Sequence, residues 1–370
     1  MKIKSSVLSI FTAVLAAVVI LSYTSCKPDR VLKIGELNLP ESPYDYLNIE
    51  TAFGTENLAS RIHTPRISNS YLNNQAALGR VLFYDTKLSI NNSVSCGSCH
   101  KQKLGFADGS KLSTGFANKK TLRNTLSIIN TLDESGLFWD SRADNATELS
   151  LMPVFDHREM GMENDEMLVE KIGSATYYSD LFQEAYGSQE VTKERITIAL
   201  STFLNTMFSK SSRFDGDKTD FNFEERLGME IFNGKANCVT CHTLGANFSN
   251  GGGYNNHFSP VTGTANIGLD KVYADKGVGG GSFRIPSLRN VELTGPYMHD
   301  GRYTSLGEVI NHYNGGVQDN KEVDPVFRAE DGKIKGLGLS NVEKEALISF
   351  LKTLTDNKFI SDPKFSDPFN

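Results

Sequence analysis

Two short stretches carry the residues with the most definite chemistry, Cys96-Gly97-Ser98-Cys99-His100 and Cys238-Val239-Thr240-Cys241-His242. Each holds two thiols separated by two residues, with a histidine directly after the second. That is the attachment pattern of a c-type haem: both thiols add to the porphyrin vinyl groups, and the adjoining imidazole reaches the iron as proximal ligand. A four-cysteine zinc site or a pair of disulfides would use the same thiols, but either leaves the histidine after each pair unexplained. The spacing therefore predicts two covalently bound haem c groups, with His100 and His242 as axial ligands. The sixth position then decides each iron's role, because a filled site passes electrons while an open one binds a small oxidant.

A further candidate ligand lies after Thr294-Gly295-Pro296-Tyr297-Met298-His299-Asp300-Gly301. Ser305 and Glu308 form the two ends of a capping box and predict a helix start. On that helix Leu306, Val309, Ile310 and Tyr313 share a face, and His312 is turned from Tyr313 by about 100°. Tyr313 is thus a plausible iron ligand, although a helical tyrosine is more often core. Met298, a soft thioether inside the motif, is its rival. His63, His157 and His257 have no comparable context and receive no role.

The elements that must position these residues read as mainly helical. From Gln75 onward Leu78, Val81 and Leu82 fall on one face ahead of the first cysteine pair. Helical stretches follow near 164–172 and 192–208; in the second, Thr192 is placed to cap, and Ile196, Leu200, Phe203, Leu204 and Met207 recur at spacings of three and four. A run from Glu224 to Phe232 leads into the second pair. The order helix, cysteine pair, loop occurs twice, 142 residues apart, as an ancient duplication would leave it. The expected fold is two cytochrome c-like haem domains with long irregular loops, at 66–215 and 216–360. Residues 26–65, rich in Pro, Asn and Glu, read as a tether or wrapping arm. The Gly, Asn and Ser crowding between Gly245 and Gly281 reads as a loop covering a cofactor. Its Gly277 to Gly281 cluster lacks the Lys-Ser/Thr pair that a phosphate loop needs.

With 370 residues and 39% apolar content, the chain can bury two modest cores. Lys2 and Lys4 precede an uncharged run from Ser5 to Ser25, the layout of an export signal. Small residues before Cys26 predict a lipoprotein-type signal over 1–25 and lipidation of Cys26, which accounts for the odd fifth cysteine. Tyr23 stands where such signals usually carry Leu, and the run is also long enough to remain as a membrane helix. Removing 1–25 takes away two lysines and no acids, so the formal charge moves from −6 to −8. No basic patch invites nucleic acid. The expected location is the periplasm or cell envelope, held to the membrane through a lipid anchor.

Leu78-Gly79-Arg80 to Asp85, both haem motifs, Phe138-Trp139-Asp140, Glu159-Met160-Gly161 and Pro296 to Gly301 together resemble the bacterial dihaem cytochrome c peroxidase and MauG family, across roughly 75–355. The resemblance implies that hydrogen peroxide binds at the N-terminal haem. The C-terminal haem then accepts electrons from a small cytochrome c or cupredoxin. It implies that Trp139 carries electrons between the irons, that Glu159 moves the peroxide's protons, and that Pro153 belongs to the distal pocket. Asn124, Thr294 and Pro296 match an interhaem calcium site, and a homodimer is compatible with the family.

Three positions depart from the pattern. Leu149 replaces a pocket glutamine. No histidine occurs between Lys101 and Asp156, so the resting peroxide site is expected to be open. Tyr313, fourteen residues after His299, stands where peroxidases place methionine and matches the MauG-like state. The leading expectation is a peroxidase. The alternatives are a MauG-like peroxide-dependent oxidase of a protein or small organic substrate, and a pure electron carrier with both irons six-coordinate.

Overall fold

The computed structural model describes residues 31–34, 37–51, 54–62, 68–134, 136–242 and 263–369. The signal segment, Cys26, His63, His257 and the first part of the expected covering loop lie outside the described residues.

The fold is mainly helical, with three two-stranded antiparallel sheets among the described residues. Two hairpins come first: β1 (Val31–Ile34) with β2 (Leu37–Pro40), and β3 (Asn48–Thr51) with β4 (Gly54–Asn57). Leu37, Leu39 and Tyr46 from this arm enter the first hydrophobic core.

Helix α1 (Asn69–Tyr84) starts where the Ser68 side chain accepts the Tyr71 N–H, and it buries Leu72, Leu78, Val81, Leu82 and Phe83. It crosses α6 (Lys193–Thr206), whose start is capped by Thr192 accepting from Arg195. The crossing needs glycine, because a Cβ at Gly79 would lie 2.0 Å from the Ala199 carbonyl oxygen and 2.7 Å from Phe203 Cβ. Between them run α2 (Cys96–Cys99), α3 (Ala146–Phe155), α4 (Asp165–Gly173) and α5 (Thr176–Tyr186).

The same crossing recurs in the second half. There α7 (Phe223–Asn233) meets α9 (Asn341–Lys352), and a Cβ at Gly228 would lie 2.0 Å from the Ala346 carbonyl oxygen and 2.7 Å from Phe350 Cβ. The second core gathers Ile231, Phe232, Leu306, Ile310, Leu347 and Phe350 around that contact. Each aromatic or branched side chain withdrawn from water in this way contributes about 1.5–3 kcal/mol.

Strands β5 (Thr264–Ala265) and β6 (Phe283–Arg284) pair between the halves. The chain's last described residues return to the first core rather than the second. Phe359 and Phe365 are buried there, Arg80 Nε donates to the Ser366 carbonyl at 2.6 Å, and the Tyr84 hydroxyl donates to the Phe365 carbonyl at 2.6 Å. Beside the second core, Asp215 binds the Arg289 guanidinium through both carboxylate oxygens at 2.7 and 2.8 Å.

The helix expected after Ser305 is short. Its α-helical part, α8, spans Leu306–Asn311 with the capping box formed, and a π-helical turn, His312–Gly316, follows. The wider turn changes the angular spacing of side chains. His312 does not line the second cavity, but its ring stands edge-on to Tyr313 at 5.2 Å and is buried: Nε2 donates to the Ile267 carbonyl at 2.9 Å, and Nδ1 lies 3.3 Å from the Tyr303 hydroxyl.

Candidate active site

The first cysteine pair forms one helical turn, α2, closed at its start by Ser95 and Ser98 in a reciprocal cap. A Cβ at Gly97 would lie 2.4 Å from the Tyr84 ring, so glycine there lets α1 pack directly under the motif. Burial pushes the Cys96 thiol up to about 12 and the Cys99 thiol up to about 11. His100 donates from Nδ1 to the Phe106 carbonyl at 2.8 Å, which orients the ring and leaves Nε2 for a metal. Cys99 and His100 face a cavity of about 310 Å³.

Glu159 and Pro153 line the same cavity. Pro153 sits near the end of α3, and its carbonyl accepts the Met160 N–H at 3.2 Å, folding the chain back at Glu159. The loop after the first motif supports the other side, where the Phe116 N–H donates to the Glu159 carbonyl at 2.8 Å. Contact is that close because residue 115 is glycine: a Cβ there would stand 2.0 Å from the Arg158 carbonyl oxygen. Burial, and then the nearby Asp156 charge, push the Glu159 carboxyl up to about 7, with Arg142 acting against them. A carboxyl held near neutrality can both take and return a proton. Leu149 lines the wall as well and contributes no polar group.

The second cavity, also about 310 Å³, is faced by Cys238, Cys241 and His242. The His242 Nδ1 is buried and has no hydrogen-bond partner among the described residues, and burial brings the ring's pKa down to about 4 against the opposing influence of the Pro286 carbonyl. Tyr313 and Met298 both line this cavity, so both candidate ligands stay open. Tyr313 stacks on Phe327 at 5.9 Å, and burial, followed by the Cys241 and Cys238 sulfurs, raises its phenol well above the usual range.

Trp139 lines both cavities. Its Nε1–H donates to the Asn124 carbonyl at 2.8 Å, and its ring stands edge-on to Phe283 and His299, which stack on each other at 3.7 Å. Asp140 binds Arg123 at 2.6 Å and Arg142 at 2.7 Å; burial would raise its pKa, but the two guanidinium groups bring it below the ordinary value.

Asn124 connects this wall to the 294–301 segment by donating its N–H to the His299 carbonyl at 2.7 Å. Its Nδ2 donates to the Ser110 and Lys111 carbonyls, and the Thr294 hydroxyl donates to the Val291 carbonyl. Pro296 follows Gly295 through a cis peptide bond. No cluster of three or more His, Cys, Asp or Glu residues is placed to hold a metal ion among the described residues. A cation near Asn124, Thr294 and Pro296 would therefore depend on amide, hydroxyl and carbonyl oxygens, which suit calcium.

The sequence reading missed Phe283, Arg284, Glu134 and the Gly115-Phe116 support. None belongs to a motif, and each acquires its place through a partner distant in sequence.

Residues 73–219 match the sequence profile of the di-haem cytochrome c peroxidase family. The chain is 33% identical over 296 residues to the methylamine utilization protein MauG of Methylorubrum extorquens, covering 76% of this chain and 78% of that protein. It is 30% identical over 291 residues to the cytochrome c551 peroxidase of Nitrosomonas europaea, covering 76% and 80%. Among solved structures, a MauG-like protein associated with microbial copper homeostasis superposes with a TM-score of 0.69 at 31% identity, covering 80% of this chain and 93% of that one. The diheme peroxidase BthA of Burkholderia thailandensis shares the fold with a TM-score of 0.65 at 20% identity, covering 93% and 97%. With two haem-attachment motifs on facing cavities and relatives of this kind along most of its length, the chain belongs to the di-haem cytochrome c peroxidase and MauG family.

Proposed function

We propose that the protein is a dihaem peroxidase that reduces hydrogen peroxide to water with two electrons from a small cytochrome c or cupredoxin. The observation that carries this reading is Glu159, a half-buried carboxyl pushed up to about 7 by burial, in the same cavity as His100 and the shared tryptophan. The residues fit the cofactor that the family implies: half-buried free thiols stand beside each cavity, and His100 has one ring nitrogen engaged and the other available. Two cytochrome c-like domains, near 66–215 and 216–360, would each hold one haem through Cys96, Cys99 and His100 or through Cys238, Cys241 and His242.

When bound, the haems supply the iron that receives electrons one at a time and delivers two to peroxide. Glu159 accepts the proton of the near peroxide oxygen through a carboxylate oxygen and returns it to the far oxygen, which then leaves as water. Two further protons and two electrons complete the conversion of one peroxide to two waters. Pro153 and Leu149 present apolar surface beside the reacting oxygens and limit competing water. Trp139 carries electrons between the halves. Asn124, Thr294 and Pro296 would hold a calcium ion through amide, hydroxyl and carbonyl oxygens. The uncharged run before Cys26 supports a lipoprotein of the cell envelope.

A second reading is favoured by Tyr313 on the wall of the second cavity. As an anionic ligand it would favour ferric and higher oxidation states, as a MauG-like oxidase of an organic or protein substrate requires. Electron paramagnetic resonance of the haem-loaded ferric protein tests both. One high-spin and one low-spin haem is expected; two low-spin haems would leave a pure electron carrier. Tyr313→Phe should then alter the low-spin signal while Met298→Leu leaves it unchanged. The reverse pattern would assign Met298 and set the MauG-like reading aside.

A further inference from the structure

Only two residues line both cavities among the described residues, Trp139 and Arg284. They are joined, since the Arg284 N–H donates to the Trp139 carbonyl at 2.8 Å. Arg284 is fixed from the other side by pairing of β6 with β5, where it lies opposite Thr264. Its backbone is thus held at the boundary between the two halves. Its guanidinium is 7% exposed and forms an ion pair with Glu134, itself 5% exposed.

A cation buried this deeply needs negative partners, and a guanidinium has five N–H donors to satisfy. Burial draws its pKa down only to about 10, so it is charged at neutral pH. The other cations around the cavities are committed or outward-facing. Arg123 binds Asp140 and Asp275, Arg142 binds Asp140, and Lys235 binds Glu343. Arg158 and Lys335 are exposed. Each haem brings two propionates, and arginine's planar fork matches carboxylates in a way that lysine does not.

We propose that Arg284 is a shared propionate-binding residue, whose guanidinium holds a carboxylate of each haem and couples their reduction potentials. This rests on the reading that each cavity holds a haem c. A cation beside a redox centre favours the reduced state, so Arg284 raises both potentials, and Glu134, which lines only the first cavity, opposes it chiefly there.

The test is a spectroelectrochemical titration of the full haem-loaded protein and of three variants, after haem per chain has been measured in each. In Arg284→Gln with two haems per chain, both potentials should fall. Each should shift by at least a tenfold change in the reduction equilibrium, about 59 mV for a one-electron couple. Arg284→Lys should give a smaller fall at both haems. Glu134→Gln should raise the potentials, more at the N-terminal haem. A shift confined to one haem in Arg284→Gln, or none, would overturn the proposal. Should Arg284→Gln not fold, unchanged potentials in Arg284→Lys and Glu134→Gln would overturn it equally. Wild-type protein that takes up fewer than two haems would overturn the cofactor reading beneath it, and the proposal with it.

Discussion

Glu159→Gln is expected to lower the rate of peroxide reduction by about 10²–10⁴-fold while both haems are retained. Glutamine keeps the shape and the partly buried position of the side chain but cannot accept a proton. The wild-type rate should rise with pH through about 7, because the first step needs the ionised carboxylate. In the variant that rise should vanish. Stability supplies an independent readout. The folded carboxyl titrates near 7 against an ordinary value of 4.5, so the folded state favours the protonated form. That contribution is fully present below pH 4.5 and is lost as pH rises through about 7, a change of roughly 3 kcal/mol. Denaturant unfolding should show this decline in the wild type and not in Glu159→Gln. A variant with an unaltered peroxide rate would remove Glu159 from the proton pathway.

Asp215→Ala should destabilise the fold by about 3–5 kcal/mol, because it leaves a buried guanidinium without its carboxylate. Arg289 is 2% exposed and binds Asp215 through two hydrogen bonds, and Asp215 also accepts from the Ser212 N–H and hydroxyl. The effect is larger than for a surface pair because neither group can recover its hydration. Burial alone would raise the Asp215 pKa, but Arg289 and Ser212 bring it below its ordinary value of 3.8. Its stabilisation is therefore present above pH 3.8 and fades as pH falls through the lower folded value. The difference between wild type and variant, measured by urea unfolding, should shrink in strong acid. Equal stability at pH 7 would show that the fold does not depend on this pair.

Local chemistry carried much of the architecture. Thr192 and the Ser305–Glu308 box mark helix starts that the structure contains, and the two Cys-x-x-Cys-His stretches locate the two cavities. Glu159 and Trp139 were legible only through resemblance to a family. Taken alone, one is an acid in a turn and the other an aromatic in a loop. Their environments come from afar: the Glu159 carbonyl meets Phe116, and the Trp139 carbonyl meets Arg284. Periodicity could not foresee the π-helical turn at His312, whose ring meets the Ile267 carbonyl and the Tyr303 hydroxyl. Nor does any local signal send Phe365 to the first core, where Tyr84 and Arg80 receive the chain end. The glycines at 79 and 228 look ordinary in sequence, yet each stands where two helices touch backbone to side chain.

Reduction of peroxide at the first cavity would draw its electrons from outside the protein. The most direct measurement mixes the haem-loaded protein with hydrogen peroxide and a pre-reduced small cytochrome c, and follows donor oxidation by absorbance. Rapid, catalytic oxidation of two donor equivalents per peroxide is expected, slowed by about 10²–10⁴-fold in Glu159→Gln. A protein whose haem spectrum responds to peroxide but which leaves the donor reduced would contradict it.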